Sequence, residues 1–125
     1  MARNRILVVE DDEAISRIIT KNLISTGYAA VPVYDGCKAA ELVQMDADFD
    51  LALLDVMLPG MDGFALLAYM KHHGIPVIYL TAKSDIDSKL QGLRDGAEDY
   101  IVKPFEVLEL LVRIEKVLER TGKMQ

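Results

Sequence analysis

The chain has 125 residues, 51% hydrophobic and 27% charged, which suits one packed domain and excludes a disordered or fibrous chain. A formal charge of −6 at pH 7 argues against direct contact with nucleic acid or anionic lipid, so DNA contact would have to lie elsewhere. Cys37 is the only cysteine, which excludes an intrachain disulfide and a cysteine metal cluster and predicts a reducing, cytoplasmic setting. The first apolar run is too short for a signal-peptide core, and no run approaches the length of a membrane span.

Short apolar runs alternate with segments of helical period. The first strand, β1, is predicted over Ile6–Val9. Ile15, Ile18, Ile19 and Leu23 then recur at the spacing of a helix, α1, with Gly27 as its stop. A second strand, β2, follows over Tyr28–Val33 and a second helix, α2, over Gly36–Met45, in which Cys37 is expected to pack as a small apolar residue. β3 is predicted over Leu51–Leu54 and α3 over Phe64–His72, where His72 and His73 read as surface groups at the helix end. Pro76 precedes β4, predicted over Val77–Leu80. A fourth helix, α4, is predicted over Asp85–Asp95, β5 over Tyr100–Val102, and α5 over Glu106–Arg120 just after Pro104, where a missing N–H costs little. Alternating βα units with right-handed crossovers imply an α/β fold. The expected form is a doubly wound (βα)5, flavodoxin-like parallel sheet of order 2-1-3-4-5, with residues 1–125 forming a single domain and no effector domain.

Ligands of such sheets bind at the carboxyl ends of the strands. Those ends carry Glu10, Asp11 and Asp12 after β1, Asp55 after β3, Thr81 after β4 and Lys103 after β5. Several carboxylates without His or Cys make a hard oxygen site that suits Mg2+ or Mn2+. Asp11 and Asp55 are candidate ligands, Glu10 contributes directly or through water, and the backbone carbonyl of Met57 can complete the set. Asp12 reads rather as a helix N-cap. Lys103 places a cation beside Asp55, and the Thr81 hydroxyl can donate to a phosphoryl oxygen. The set can stabilise a phosphoryl group while Asp55 attacks phosphorus in line, and a carboxylate needs no general base for that attack.

These residues resemble a known family. Glu10-Asp11 after Ile6–Val9, the segment from Leu53 through Asp55 and Pro59 to Gly63, the pair Thr81-Ala82, and Lys103-Pro104-Phe105 are similar to the receiver domains of response regulators, across nearly the whole chain. The resemblance implies a phosphoacceptor at Asp55 served by a sensor histidine kinase, Mg2+ on the first acidic pair, and a switch formed by Thr81 and Tyr100.

Helix α5 also carries more apolar residues than one buried stripe requires. Val107, Leu110, Leu111, Ile114 and Val117 can face the core, leaving Leu108 and Val112 nearer the surface. Val112 with Leu90 and Leu93, framed by Lys89, Glu98, Asp99, Glu109, Arg113 and Arg120, is similar to the dimer face of the OmpR/PhoB-like subfamily, which is formed by α4, β5 and α5. Members of that subfamily carry a winged-helix DNA-binding domain. By resemblance, Lys89 pairs with Glu109, Asp99 with Arg113 and Glu98 with Arg120 across a two-fold axis, and homodimerisation follows phosphorylation.

Two other readings compete. One is a receiver-like interaction module that is never phosphorylated. The other is a metal-dependent phosphatase, disfavoured because an aspartate-nucleophile phosphatase of the haloacid-dehalogenase type resembles an Asp-x-Asp pattern, and Met57 stands where the second acid would be. A flavin carrier would need a hydroxyl- and glycine-rich phosphate loop in place of Glu10-Asp11-Asp12. The expectation is therefore a signalling protein that modifies only itself, not an enzyme with turnover.

Overall fold

The computed structural model describes residues 3–56, 58, 61, 63–82, 94 and 96–124. Five parallel strands form one sheet in the order β2-β1-β3-β4-β5, and the described residues include four helices. The strands are β1 Arg5–Val9, β2 Ala29–Val33, β3 Leu51–Asp55, β4 Val77–Ala82 and β5 Asp99–Lys103. The helices are α1 Glu13–Thr26, α2 Gly36–Met45, α3 Gly63–His72 and α5 Val107–Arg120. Apart from Arg94, the span expected for α4 lies outside the described residues.

Strand alternation builds two cores. Leu7, Val9, Ala52, Leu54, Val77 and Tyr79 face α2 and α3, meeting Ala39, Val43, Leu66, Leu67 and Met70. Ile6, Val8, Leu51, Leu53, Ile78, Leu80 and Ile101 face the other way, meeting Ile19 and Leu23 of α1 and Leu110, Ile114, Val117 and Leu118 of α5. β1 and β3 are thus covered on both sides, which is why they read as unbroken apolar runs instead of alternating ones.

The edge at β2 is guarded by its own sequence. Ala29 N–H donates to the Asn4 carbonyl and the Val33 carbonyl accepts from Glu10 N–H, so residues 29 and 33 turn their backbone groups toward β1. By alternation Pro32 faces the open edge, where its missing N–H removes a donor that another strand would need.

Helix α1 starts at Asp12, whose Oδ1 accepts from Ala14 N–H at 2.9 Å and Ile15 N–H at 3.1 Å. It stops at Gly27, with φ 106°. There Tyr28 N–H reaches the Leu23 carbonyl and Gly27 N–H the Ile24 carbonyl, the paired bonds of a Schellman motif.

Two expectations on the helices need correction. Ile18 is 51% exposed, so the buried stripe of α1 runs through Ile19 and Leu23, with Ile15 half-buried. Cys37 is exposed, because α2 buries Gly36, Ala39 and Val43 and turns position 37 about 100° away from that face. In α5, Leu118 joins the buried set, Val107 and Leu111 are half-buried, and Leu108 and Val112 are 73% and 43% exposed.

Candidate functional site

β1, β3 and β4 are neighbours at the centre of the sheet, so residues far apart in sequence meet at their carboxyl ends. Glu10 directly follows β1. Its backbone N–H still bonds to the Val33 carbonyl, which carries the residue into the sheet, and its side chain has no solvent exposure. Asp55 is the last residue of β3 and is 6% exposed. Asp11 is exposed at the start of the β1–α1 turn. One carboxylate oxygen from each of Glu10, Asp11 and Asp55 lies within 4.8 Å of the others.

Lys103 ends β5, two strands and roughly 10 Å from β3. Its register partner on the intervening strand is Ala82, whose short side chain leaves the lysine a path across the end of β4. The ammonium lies 2.8 Å from Asp55 Oδ2 and 2.5 Å from Glu10 Oε1. Glu10 Oε2 accepts from Asp12 N–H at 3.0 Å, which orients the carboxylate from its other side.

The electrostatics follow from this burial. The Glu10 carboxyl is pushed up to about 7, because desolvation and the neighbouring Asp55 raise it by more than the Lys103 ammonium and the Asp12 amide draw it back. For Lys103, burial alone would lower the ammonium. The hydrogen bonds and charges of Asp55 and Glu10 outweigh that and hold it above its ordinary value.

Two of the three carboxylates, Glu10 and Asp55, thus share the Lys103 ammonium. The donor set of the three is all oxygen, negatively charged and open to solvent through Asp11, which fits a hard divalent metal. Thr81 is 2% exposed near the end of β4, one residue beyond Leu80, the register partner of Asp55. Tyr100 is half-buried on β5, beside Tyr79 in register. Asp12 serves as the α1 cap. Met57 lies outside the described residues, as do Lys89, Leu90 and Leu93 of the expected dimer face.

The remaining residues of the expected dimer face lie on β5, just before it and on α5, and the charged ones pair within one chain. Arg113 Nη1 lies 3.1 and 3.0 Å from the two Asp99 carboxylate oxygens, and its Nε lies 3.7 Å from Glu109. Arg120 Nη2 reaches the Glu98 carbonyl at 2.9 Å and its carboxylate at 3.2 Å. A hollow of about 540 Å3 lined by Leu108, Val112, Arg113 and Lys116 opens on this face.

One residue beside the site does not stand out in the sequence. Tyr79, in the middle of β4, is fully buried, and its hydroxyl donates to the Gly63 carbonyl at 3.1 Å. The available signal is a polar-tipped aromatic inside an otherwise aliphatic run, since a buried tyrosine hydroxyl needs a partner.

Comparison with known proteins shows the family and the fold. The family described as the response regulator receiver domain matches residues 6–115. The chain is 48% identical over 117 residues to the transcriptional regulatory protein YbdJ of Bacillus subtilis (strain 168), covering 92% of this chain and 51% of that protein. It is 42% identical over 125 residues to the DNA-binding dual master transcriptional regulator RpaA of Synechocystis sp., covering 96% of this chain and 51% of the relative. The chain therefore spans about half the length of these curated relatives. Among solved structures, the receiver domain of the TMAO respiratory system response regulator TorR superposes with a TM-score of 0.86 at 32% identity, covering 94% of this chain and 98% of that one.

Proposed function

Since the chain belongs to the response regulator receiver family, we propose that it accepts a phosphoryl group on Asp55 from a sensor histidine kinase and exports that state through its α4-β5-α5 surface. The observation that carries this reading is the contact of Lys103 with both Asp55 and Glu10 inside a cluster of three carboxylates at the strand ends.

Asp55 supplies the nucleophile. A carboxylate oxygen forms the new bond to phosphorus as the bond to the donor breaks, and the donor group leaves with its electron pair. Lys103 stays beside the acceptor throughout and offsets the added negative charge, while the Thr81 hydroxyl donates to a phosphoryl oxygen. Glu10, Asp11, Asp55 and the Met57 carbonyl would hold Mg2+, or Mn2+ in its place, which when bound neutralises charge on the transferring group. The protein modifies itself once per donor and is not an enzyme with turnover.

An apolar hollow of about 190 Å3, lined by Ile15, Ile18, Pro104, Phe105 and Val107, opens next to Lys103 and supports docking of the kinase there. Phosphorylation draws Thr81 toward the phosphoryl group, lets Tyr100 move inward and shifts a pre-existing equilibrium toward a homodimer. The dimer joins through Lys89, Leu90, Leu93, Glu98, Asp99, Glu109, Val112, Arg113 and Arg120. Transcription is then controlled through a separate DNA-binding domain, in the cytoplasm and without membrane contact. Among the described residues no helix is long and apolar enough to cross a membrane.

The test is intact mass after incubation with Mg2+ and acetyl phosphate or phosphoramidate, beside Asp55→Ala and a metal-free control. A single metal-dependent phosphoryl adduct, lost in Asp55→Ala, is expected. An adduct that survives in the variant would mean a different acceptor, and none with any donor would favour an interaction module that is never phosphorylated.

A further inference from the structure

Asp55 is followed by Val56 and then by residues 57–62, which carry the Met57 carbonyl, before α3 begins at Gly63. Both ends of that segment are held. At the near end, Val56 N–H donates to the Leu80 carbonyl of β4 at 3.1 Å. At the far end, Gly63 lies so close to Val56 that a Cβ on it would come within 2.7 Å of the Val56 carbonyl oxygen and 3.2 Å of its Cα. Only glycine allows this approach, and contact without a bond does not fix an angle.

The bond at the far end comes from Tyr79. Its hydroxyl donates to the Gly63 carbonyl at 3.1 Å from a side chain with no solvent exposure. The ring is itself held, edge-on to Phe64 with centroids 6.0 Å apart and planes at 88°. Tyr79 immediately precedes Leu80, so neighbouring β4 residues bond to Val56 and to Gly63. In register, Tyr79 stands between Leu54, the residue before Asp55, and Tyr100.

We propose that Tyr79 is a positioning residue. Through its bond to Gly63 it holds the start of α3 against Val56, the residue after Asp55, and so supports metal binding and phosphoryl acceptance at Asp55. The proposal rests on the receiver reading given above and extends it to a residue that touches neither phosphoryl group nor metal. A carboxylate at a strand end is only as well ordered as the backbone that follows it, because the groups that orient metal ligands set their affinity.

Tyr79→Phe removes the hydroxyl and keeps the ring. Ile19→Val, in the opposite core, is the control for a general loss of stability. In metal-free protein, amide hydrogen exchange from Val56 to Gly63 is expected to speed up in Tyr79→Phe and not in Ile19→Val. The Mg2+ midpoint, followed by amide chemical shifts, is expected to rise about tenfold, the lower end of the effect of losing an outer-shell partner. Adduct formation in Tyr79→Phe should be slow at limiting Mg2+ and recover at saturation. Parent-like exchange and Mg2+ midpoint in Tyr79→Phe, or an equal change in Ile19→Val, would overturn the proposal. A parent that binds Mg2+ but accepts no phosphoryl group would overturn the receiver reading alone, since exchange and Mg2+ affinity would still decide the part played by Tyr79.

Discussion

Without the Lys103 ammonium, the fully buried Glu10 and the nearly buried Asp55 would lose the cation that both contact. Breaking a buried pair in this way costs about 3 kcal/mol, at the low end of the usual range because Lys103 itself is partly exposed. Lys103→Met should therefore melt well below the parent at pH 7.5 in metal-free buffer, and an equal melting temperature would show that the pair carries no stability. The pH dependence has a definite sign. Folded Glu10 titrates near 7 and the unfolded carboxyl near 4.5, so between those values the folded state holds a proton that the unfolded state has released. The Glu10 contribution to stability is complete below 4.5 and declines as pH rises toward 7. Lys103, raised above its ordinary value, keeps its contribution through neutrality and loses it only in strong alkali. Urea titrations of metal-free parent from pH 4.5 to 8 should show the decline, and it should deepen in Lys103→Met. A flat profile would contradict the burial of Glu10.

At the scale of elements, the turn between β1 and α1 divides three consecutive acids by function. Glu10 is turned into the sheet, Asp11 stands in the mouth of the pocket, and Asp12 accepts two amide bonds at the start of α1. Asp12→Ala should cost about 1 kcal/mol of stability through loss of the cap while leaving Mg2+ affinity unchanged. A large loss of affinity would place Asp12 among the ligands. The boundaries of α1 were legible because apolar period, the capping Asp12 and Gly27 each act within a few residues of the helix ends. The outward turns of Ile18 and Cys37 were not, because one apolar residue on a helix matches two faces until the neighbouring element is in place. Leu118 is the converse case, buried beside Val117 because the core under the end of α5 is wider than a single stripe.

Across the whole molecule, the β5–α5 surface poses the question of assembly. Arg113 and Arg120 already pair with Asp99 and Glu98 inside one chain, so a dimer using the same charges would exchange ion pairs and gain little from them. Its driving force would lie in the exposed Leu108 and Val112. Val112→Asp should leave the acyl-phosphate-dependent adduct intact and abolish dimerisation of the phosphorylated protein in sedimentation equilibrium, whereas a dimer that survived would place the interface elsewhere. That Glu10, Asp11, Asp55 and Lys103 lie on one side of the sheet could be read from residue order, because parallel strands must place their carboxyl ends together, whereas the order 2-1-3-4-5 could be read only as the commonest of a few topologies. Distances could not be read in that way. That Lys103 reaches both acids across the end of β4, that Arg113 closes on Asp99 within its own chain, and that Tyr79 bonds to Gly63 all depend on side chains from different elements arriving at the same place. Periodicity reports which way a residue faces along its own helix or strand, and only the packed sheet and its helices decide what it meets there.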